Sequence, residues 1–301
     1  MKKNEASVTS LITAFSRAYH SIYDTPHIFN DYIAKELLTQ EEFIDIRKNL
    51  VNSIQFLNQD IAEKFKDEPD EILKWITQIQ LSPTPLSRAA YCEQVLINEM
   101  ALGVQQYVIL GAGLDSFSLR NQELHLEVFE VDYPATQENK KSRLANEEIP
   151  DTLHFVPGDF TKNFTIQSLV EEGFNPDHKT FFSLLGVSYY LSKQEIASLI
   201  STLFSKVPQG SSIVFDYADE NLFEEKGMFN RVQNMVKMAS ASGEQMKSCF
   251  TYEEMEKMLE NAGLLIYEHL SPDTIEQQFF NHRSDYLSAF ETIHYIHAVK
   301  K

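Results

Sequence analysis

QYVILGAGLDSFSLRNQELHLEVFEVD, residues 106–132, carries the pattern that decides the fold. Tyr107-Val108-Ile109-Leu110 is a short apolar run ending at a glycine, as expected of a strand buried on both faces of a parallel sheet. Gly111-Ala112-Gly113 follows as a tight turn, where the backbone bends sharply and no side chain blocks a ligand. A second apolar run, Leu126 to Val131, ends at Asp132. That carboxylate lies 21 residues after Gly111, a spacing that suits an acid at the tip of the neighbouring strand, within reach of a ribose diol. Strand, glycine turn, helix and acid-tipped strand make half of a nucleotide-type site.

The turn also bears on which nucleotide. A dinucleotide fingerprint wants glycine at position 116, so that a helix packs closely and a pyrophosphate approaches its N-terminus. The residue here is Ser116, and Asp115 adds negative charge where a pyrophosphate would sit. S-adenosylmethionine has a ribose and an adenine, no phosphate, and a positive sulfonium. The acidic turn favours it over a nicotinamide cofactor. A nicotinamide-dependent oxidoreductase and a cofactor-binding protein without catalysis are the alternatives to a methyltransferase.

The chain has 301 residues, 43% of them hydrophobic, enough for a large core. Lys and Arg total 26 against 44 Asp and Glu, a formal charge of −18, which argues against a nucleic-acid backbone or an anionic membrane as partner. Cys92 and Cys249 form no CxxC and no metal spacing, so no metal is expected and the thiols read as reduced. The start, MKKNEASVTS, lacks an apolar leader core, and no run of 18 apolar residues occurs; a cytoplasmic protein is expected.

Residues 8 to 80 read as all-helical, with no glycine before Gly103. Periodicity predicts one helix over Val8 to Tyr23 and a long amphipathic one from Glu41 to Lys66. Phe15, Tyr19 and Tyr23 share a face of the first, either as core or as a lid over a site. Pro83 and Pro85 are expected to keep 81–85 out of a helix, marking a boundary between a helical cap, 1–82, and a sheet domain, 83–301. A helix is then expected from Leu86 to Leu102, with Arg88 in its first turn. Arg88 is either a surface partner of Glu93 or another acid, or a bidentate clamp for a cofactor carboxylate.

Beyond Asp132, Pro134 opens a helix expected to reach about Asn146, and Leu153 to Val156 is a third strand. Asp159 and Phe160 follow it, an acceptor and a flat face suited to adenine. Strands are expected at Thr180 to Leu185 and Ser211 to Tyr217, and capping boxes at Ser192–Glu195 and Thr251–Glu254. A helical insertion spans about 219–248. Leu264 to His269 and Thr292 to Val299 complete an α/β Rossmann-like sheet, parallel strands plus a C-terminal antiparallel hairpin. Tyr189, Tyr190, Asp216 and Tyr217 lie at strand ends, and His282, Arg283 and Tyr286 are further candidates to face the pocket.

These motifs together resemble the leucine carboxyl methyltransferase family and its bacterial relatives, class I S-adenosylmethionine-dependent methyltransferases. The resemblance runs through Ser16-Arg17-Ala18-Tyr19, Ile28-Phe29-Asn30-Asp31, Ser87-Arg88, VILGAGLDS, VFEVDYPATQENK, FVPGDF, Gly186-Val187…Tyr190-Leu191 and IVFDY at 213–217. It implies that Arg88 holds the methionine carboxylate and that Gly111, with Gly113, makes room for the methionyl part. It implies that Asp132, with Tyr133 beside it, binds the ribose, and that Asp159 and Phe160 contact the adenine. One position departs: Leu185 stands where the family usually has a glutamate for the cofactor ammonium. The implied activity is O-methylation of a small-molecule carboxylate or hydroxyl, in preference to a protein C-terminal carboxylate. No residue is assigned as a catalytic base.

Overall fold

The computed structural model describes residues 7–145, 147–162 and 164–301. Helix α1 (Val8–Tyr23) has the expected bounds, capped by the Ser7 hydroxyl, which accepts from the Ser10 N–H. Phe15 and Tyr19 are buried, with the Phe15 ring 4.8 Å from that of Phe43, and Tyr23 is exposed. This aromatic face is core, not lid.

The single helix expected from Glu41 to Lys66 is two, α2 (Gln40–Leu57) and α3 (Gln59–Lys64). Asn58 breaks the rod at φ −157° and caps the second piece, its side chain accepting from the Ile61 N–H. The apolar period continues across the break, so spacing alone does not show it. Helix α4 (Pro69–Ile76) runs into a π-turn at Thr77–Leu81.

The expectation that Pro83 and Pro85 exclude a helix is corrected. They sit in the first turn of α5 (Pro83–Ala101), where backbone N–H groups have no intrahelical acceptor and proline forfeits nothing. Arg88 therefore lies in the second turn, and the dipole cost expected of a first-turn cation does not apply.

The order continues through β1 (Gln106–Leu110), α6 (Phe117–Arg120), β2 (Glu127–Asp132), α7 (Pro134–Arg143) and β3 (Leu153–Pro157). Next come α8 (Ile166–Val170), β4 (Thr180–Leu184), α9 (Lys193–Phe204), β5 (Ser212–Ala218) and α10 (Arg231–Ala241). The chain ends through α11 (Tyr252–Asn261), β6 (Leu264–Leu270), α12 (Pro272–Ile275) and β7 (Ile293–Lys300). The helix after the glycine turn is a single turn, and α7 ends at Arg143; its expected terminus, Asn146, lies outside the described residues. Both expected capping boxes are present, at Ser192 and Thr251.

The seven strands form one sheet in the order β3-β2-β1-β4-β5-β7-β6. The first five pair in parallel, and β7 is antiparallel to both β5 and β6. The fold is thus the expected α/β sheet with a C-terminal antiparallel pair. Successive residues of β1 feed opposite cores: Tyr107 and Ile109 join one, with Leu86 and Leu96 of α5, while Val108 and Leu110 join the other, with Ile196 and Leu199 of α9. A third core under α1, α2 and α4 takes in Leu114 and Leu144. The strand order reverses between β1 and β4, and the crevice at such a reversal is where ligands bind in open α/β sheets. Among the described residues no helix is long and apolar enough to cross a membrane.

Candidate functional site

A cavity of about 620 Å³ opens at that reversal, bounded by the C-terminal ends of the parallel strands and by residues of α1, the π-turn and α10. Arg88, Gly111, Gly113, Asp132, Tyr133, Asp159 and Phe160 all line it. So does Leu185.

The glycines are where a close approach requires them. Gly111 has φ +78°, and a Cβ there would stand 2.3 Å from Val187 Cγ2. Gly186, at the opposite lip, has φ +73° and lies so close to Arg88 that a Cβ would fall 2.4 Å from its Nη2. Any side chain at either position would displace the other wall.

Asp132 ends β2 with its two oxygens held separately. Oδ2 accepts from the Gly113 N–H at 2.6 Å and Oδ1 from the Tyr133 N–H at 2.5 Å. Burial pushes its pKa up to about 6, outweighing those two hydrogen bonds. Each oxygen keeps a lone pair for a hydroxyl. Behind it, the buried Lys140 ammonium donates to Glu130 of β2 at 2.5 Å and to the Asp115 carbonyl at 2.6 Å, tying the glycine turn to the sheet. Burial raises Glu130 to about 7 despite this pairing.

Arg88 is not a surface residue, and its partner is not Glu93. Its Nη1 donates to Asp216 Oδ2 at 2.9 Å and to the Tyr189 hydroxyl at 3.0 Å. Asp216 is fully buried and also accepts from the Gly186 N–H and the Tyr189 hydroxyl. Burial opposes the guanidinium charge, but Asp216 and Tyr189 more than offset it, so the pKa stands above its usual value. Among the described residues both hydrogen bonds of Arg88 leave from Nη1, which leaves its Nε and Nη2 for an anion in the cavity.

Asp159 accepts from the Thr161 N–H and hydroxyl and pairs with Lys162 at 3.0 Å. Burial works to raise its pKa, and these contacts overcome that and lower it. Phe160 packs edge-to-face on Phe164 beside it.

The sequence motifs did not disclose a second charged group on the lining. Arg17 donates to Asp31 at 2.8 Å and to the Leu114 carbonyl at 2.6 Å, and Arg120 joins Asp31 to Glu93 and caps the Phe29 ring. Bonded partners lie up to 97 residues apart, from Arg17 to Leu114, too far for pattern reading; only the Arg17 and Asp31 motifs hinted at it. Among the other candidates, Tyr189 and Tyr190 line the cavity, whereas Tyr217 turns away and meets His269 at 3.1 Å. Arg283 binds Asp285 and the Pro26 carbonyl, and neither it nor His282 nor Tyr286 reaches the lining. The expectation that these three face the pocket is corrected.

A family model described as leucine carboxyl methyltransferase matches residues 10–204. The chain belongs to the leucine carboxyl methyltransferase family. Within it, the chain is 66% identical, over the whole of both chains, to a Bacillus subtilis protein named "Putative S-adenosyl-L-methionine-dependent methyltransferase YktD". A Mycobacterium marinum protein with the same descriptive name is 24% identical over 69% of this chain and 64% of its own. Among solved structures, a DUF574 family protein of Streptomyces avermitilis superposes with a TM-score of 0.58 at 12% identity, covering 99% of both chains; this likeness shows the fold alone.

Proposed function

We propose that this family member is an S-adenosylmethionine-dependent methyltransferase that methylates an oxygen of a small molecule, a carboxylate in preference to a hydroxyl. Methyl transfer rests on the family and on the relative that matches end to end. The residues fit the cofactor: Asp132 offers two separately held oxygens to a ribose diol, and Arg88 a guanidinium edge to a carboxylate. When bound, the cofactor supplies an electrophilic methyl, so that an acceptor oxygen forms the O–C bond as the C–S bond breaks and its electron pair leaves on sulfur. The chain's part is to align the two reactants and exclude water.

The observation favouring a carboxylate is the state of the lining. Among the described residues no histidine is on it; Asp132 and Asp159 are given to the cofactor, and Asp31, Glu93, Asp115 and Glu244 are held by protein donors. The Tyr189 hydroxyl donates to Asp216, and burial raises the Tyr190 phenol further from ionisation. A hydroxyl acceptor would need one of these groups as base; a carboxylate arrives ionised. Protein C-termini, nucleic acids and membranes are not proposed as partners.

Calorimetry with S-adenosylhomocysteine and NADH tests the cofactor. S-adenosylhomocysteine should bind and NADH should not, because Asp115 and Ser116 occupy the pyrophosphate position. NADH binding at micromolar concentration with no response to S-adenosylhomocysteine would overturn the reading.

A further inference from the structure

We infer that the acceptor carries an extended apolar body, an unbranched or aryl monocarboxylate, and that Met235 and Met238 set its specificity. The inference rests on the methyltransferase reading and adds the substrate class. The cavity lining is uneven. The glycine turn, Arg88, Asp132 and Asp159 line it, and so does an apolar set, Leu81, Tyr190, Met235, Met238, Met246 and Phe290, with Gln80, Glu244 and Lys247 interspersed.

Met235, Met238 and Ala239 lie at i, i+3 and i+4 of α10 and form a single stripe turned to the cavity. They are half-buried or buried, while Met246 and Phe290 behind them are 4% exposed. Two of the protein's eight methionines thus stand on one helix face, opposite Leu81 of the π-turn. Thioether side chains are polarizable and unbranched, and they mould to apolar ligands of varied shape.

The wall is fixed from behind. Arg231, at the start of α10, is fully buried and donates to the Ile79, Ser288 and Ala289 carbonyls and to Glu291, with its guanidinium 4.6 Å from the Phe290 ring centre. Its own carbonyl accepts from Gln80 at 3.0 Å. One residue therefore locks the π-turn, α10 and the 288–291 segment together, and this holds the methionine stripe over the cavity as a preformed surface.

Binding is measured by calorimetry on the full chain, with and without S-adenosylhomocysteine, using decanoate, decanol and succinate as probes. Decanoate should bind in the loaded protein at least tenfold more tightly than succinate, and with S-adenosylmethionine decanoate should be methylated while decanol is not. Met235→Gln and Met238→Gln keep side-chain volume and remove apolar surface; each should weaken decanoate at least fivefold and leave S-adenosylhomocysteine affinity unchanged. Both positions are partly exposed, so folding of the variants is checked by circular dichroism, and Met238→Leu should restore decanoate binding. Equal affinity for decanoate and succinate, or no response to the methionine changes, overturns the inference. Methyl transfer to decanol and not to decanoate overturns the carboxylate. If S-adenosylhomocysteine does not bind while decanoate does, the methyltransferase reading fails and the apolar wall stands.

Discussion

Arg88 and Asp216 are 128 residues apart in sequence and share one hydrogen bond. As a clamp alone Arg88 could be lost without harm to the fold; its bond to a buried acid removes that expectation. Removing Arg88 strips the compensating charge from a buried carboxylate, which costs about 3–5 kcal/mol, besides weakening ligand binding by about 1.5–3 kcal/mol. Arg88→Ala should therefore lower the melting temperature sharply. Arg88→Lys keeps a cation beside Asp216 and should fold, with S-adenosylhomocysteine bound about tenfold more weakly because the fork is lost; unchanged affinity in that variant returns Arg88 to a structural role. Leu185 is the opposite case. It lines the cavity and packs on the core that includes Tyr189, where the family usually has a glutamate. Leu185→Glu should destabilise the free protein, because an unpaired carboxylate there is poorly solvated. It should also enlarge the ligand-induced rise in melting temperature, because the cofactor ammonium pairs it. Weaker binding by Leu185→Glu means the ammonium already has other acceptors. Legibility at this scale follows the range of the constraint. Gly111 and Asp132 are dictated by a local turn and a strand end, and both could be read. The acid that holds Arg88 could not, since nothing in 128 residues of separation marks the pair.

At the scale of elements, periodicity located the helices and the bounds of α1, and it misplaced the ends of α2 and α5. The α2–α3 rod was read as continuous because its apolar stripe carries on past Asn58. The prolines were read as breakers because their missing N–H was counted without asking whether a first-turn N–H has an acceptor at all. The π-turn at Thr77–Leu81 has no sequence signal of this kind, yet it brings Gln80 and Leu81 to the cavity. Asn58 carries a direct test. Its side chain satisfies the Ile61 N–H, and replacing an asparagine cap with alanine costs about 1 kcal/mol. Asn58→Ala should lower stability by that order in a denaturant titration, with S-adenosylhomocysteine affinity unchanged, since α3 contributes no lining residue. A change in affinity would mean that the cap and the site are coupled.

At the scale of the whole molecule, the strand alternation and the late pair fixed the sheet, whereas how α1, the π-turn and α10 meet above it depends on Arg17 and Arg231, whose partners are distant. The charge of the whole molecule gives a further expectation. Asp132, Glu130 and His269 are displaced to positions between pH 4 and 7, and burial also raises Glu93. Burial raises Asp132 to about 6 and Glu130 to about 7, so over that window the folded chain binds more protons than the unfolded one, and their contribution to stability falls as pH rises. His269, lowered to about 4 by burial and by His294, works the other way: the unfolded chain takes up its proton first, so stability rises with pH from 4 to 6.5. Two raised acids outweigh one lowered histidine. The formal charge of −18 at pH 7 adds self-repulsion that lessens toward acid. The ligand-free protein should therefore lose stability between pH 5.5 and 8, by about 1 kcal/mol from the three groups, read as a fall of a few degrees in melting temperature. Saturating S-adenosylhomocysteine should reverse part of this slope, because a ribose diol donating to Asp132 favours its ionised form; affinity should weaken progressively below about pH 6. Melting curves at 0.5-unit steps (roughly the resolution one titrating group demands), with and without ligand, check both slopes. A ligand-free protein that grows more stable up to pH 8 means the buried acids are not charged at the expense of the fold, and ligand affinity flat from pH 5 to 8 removes Asp132 from the ribose.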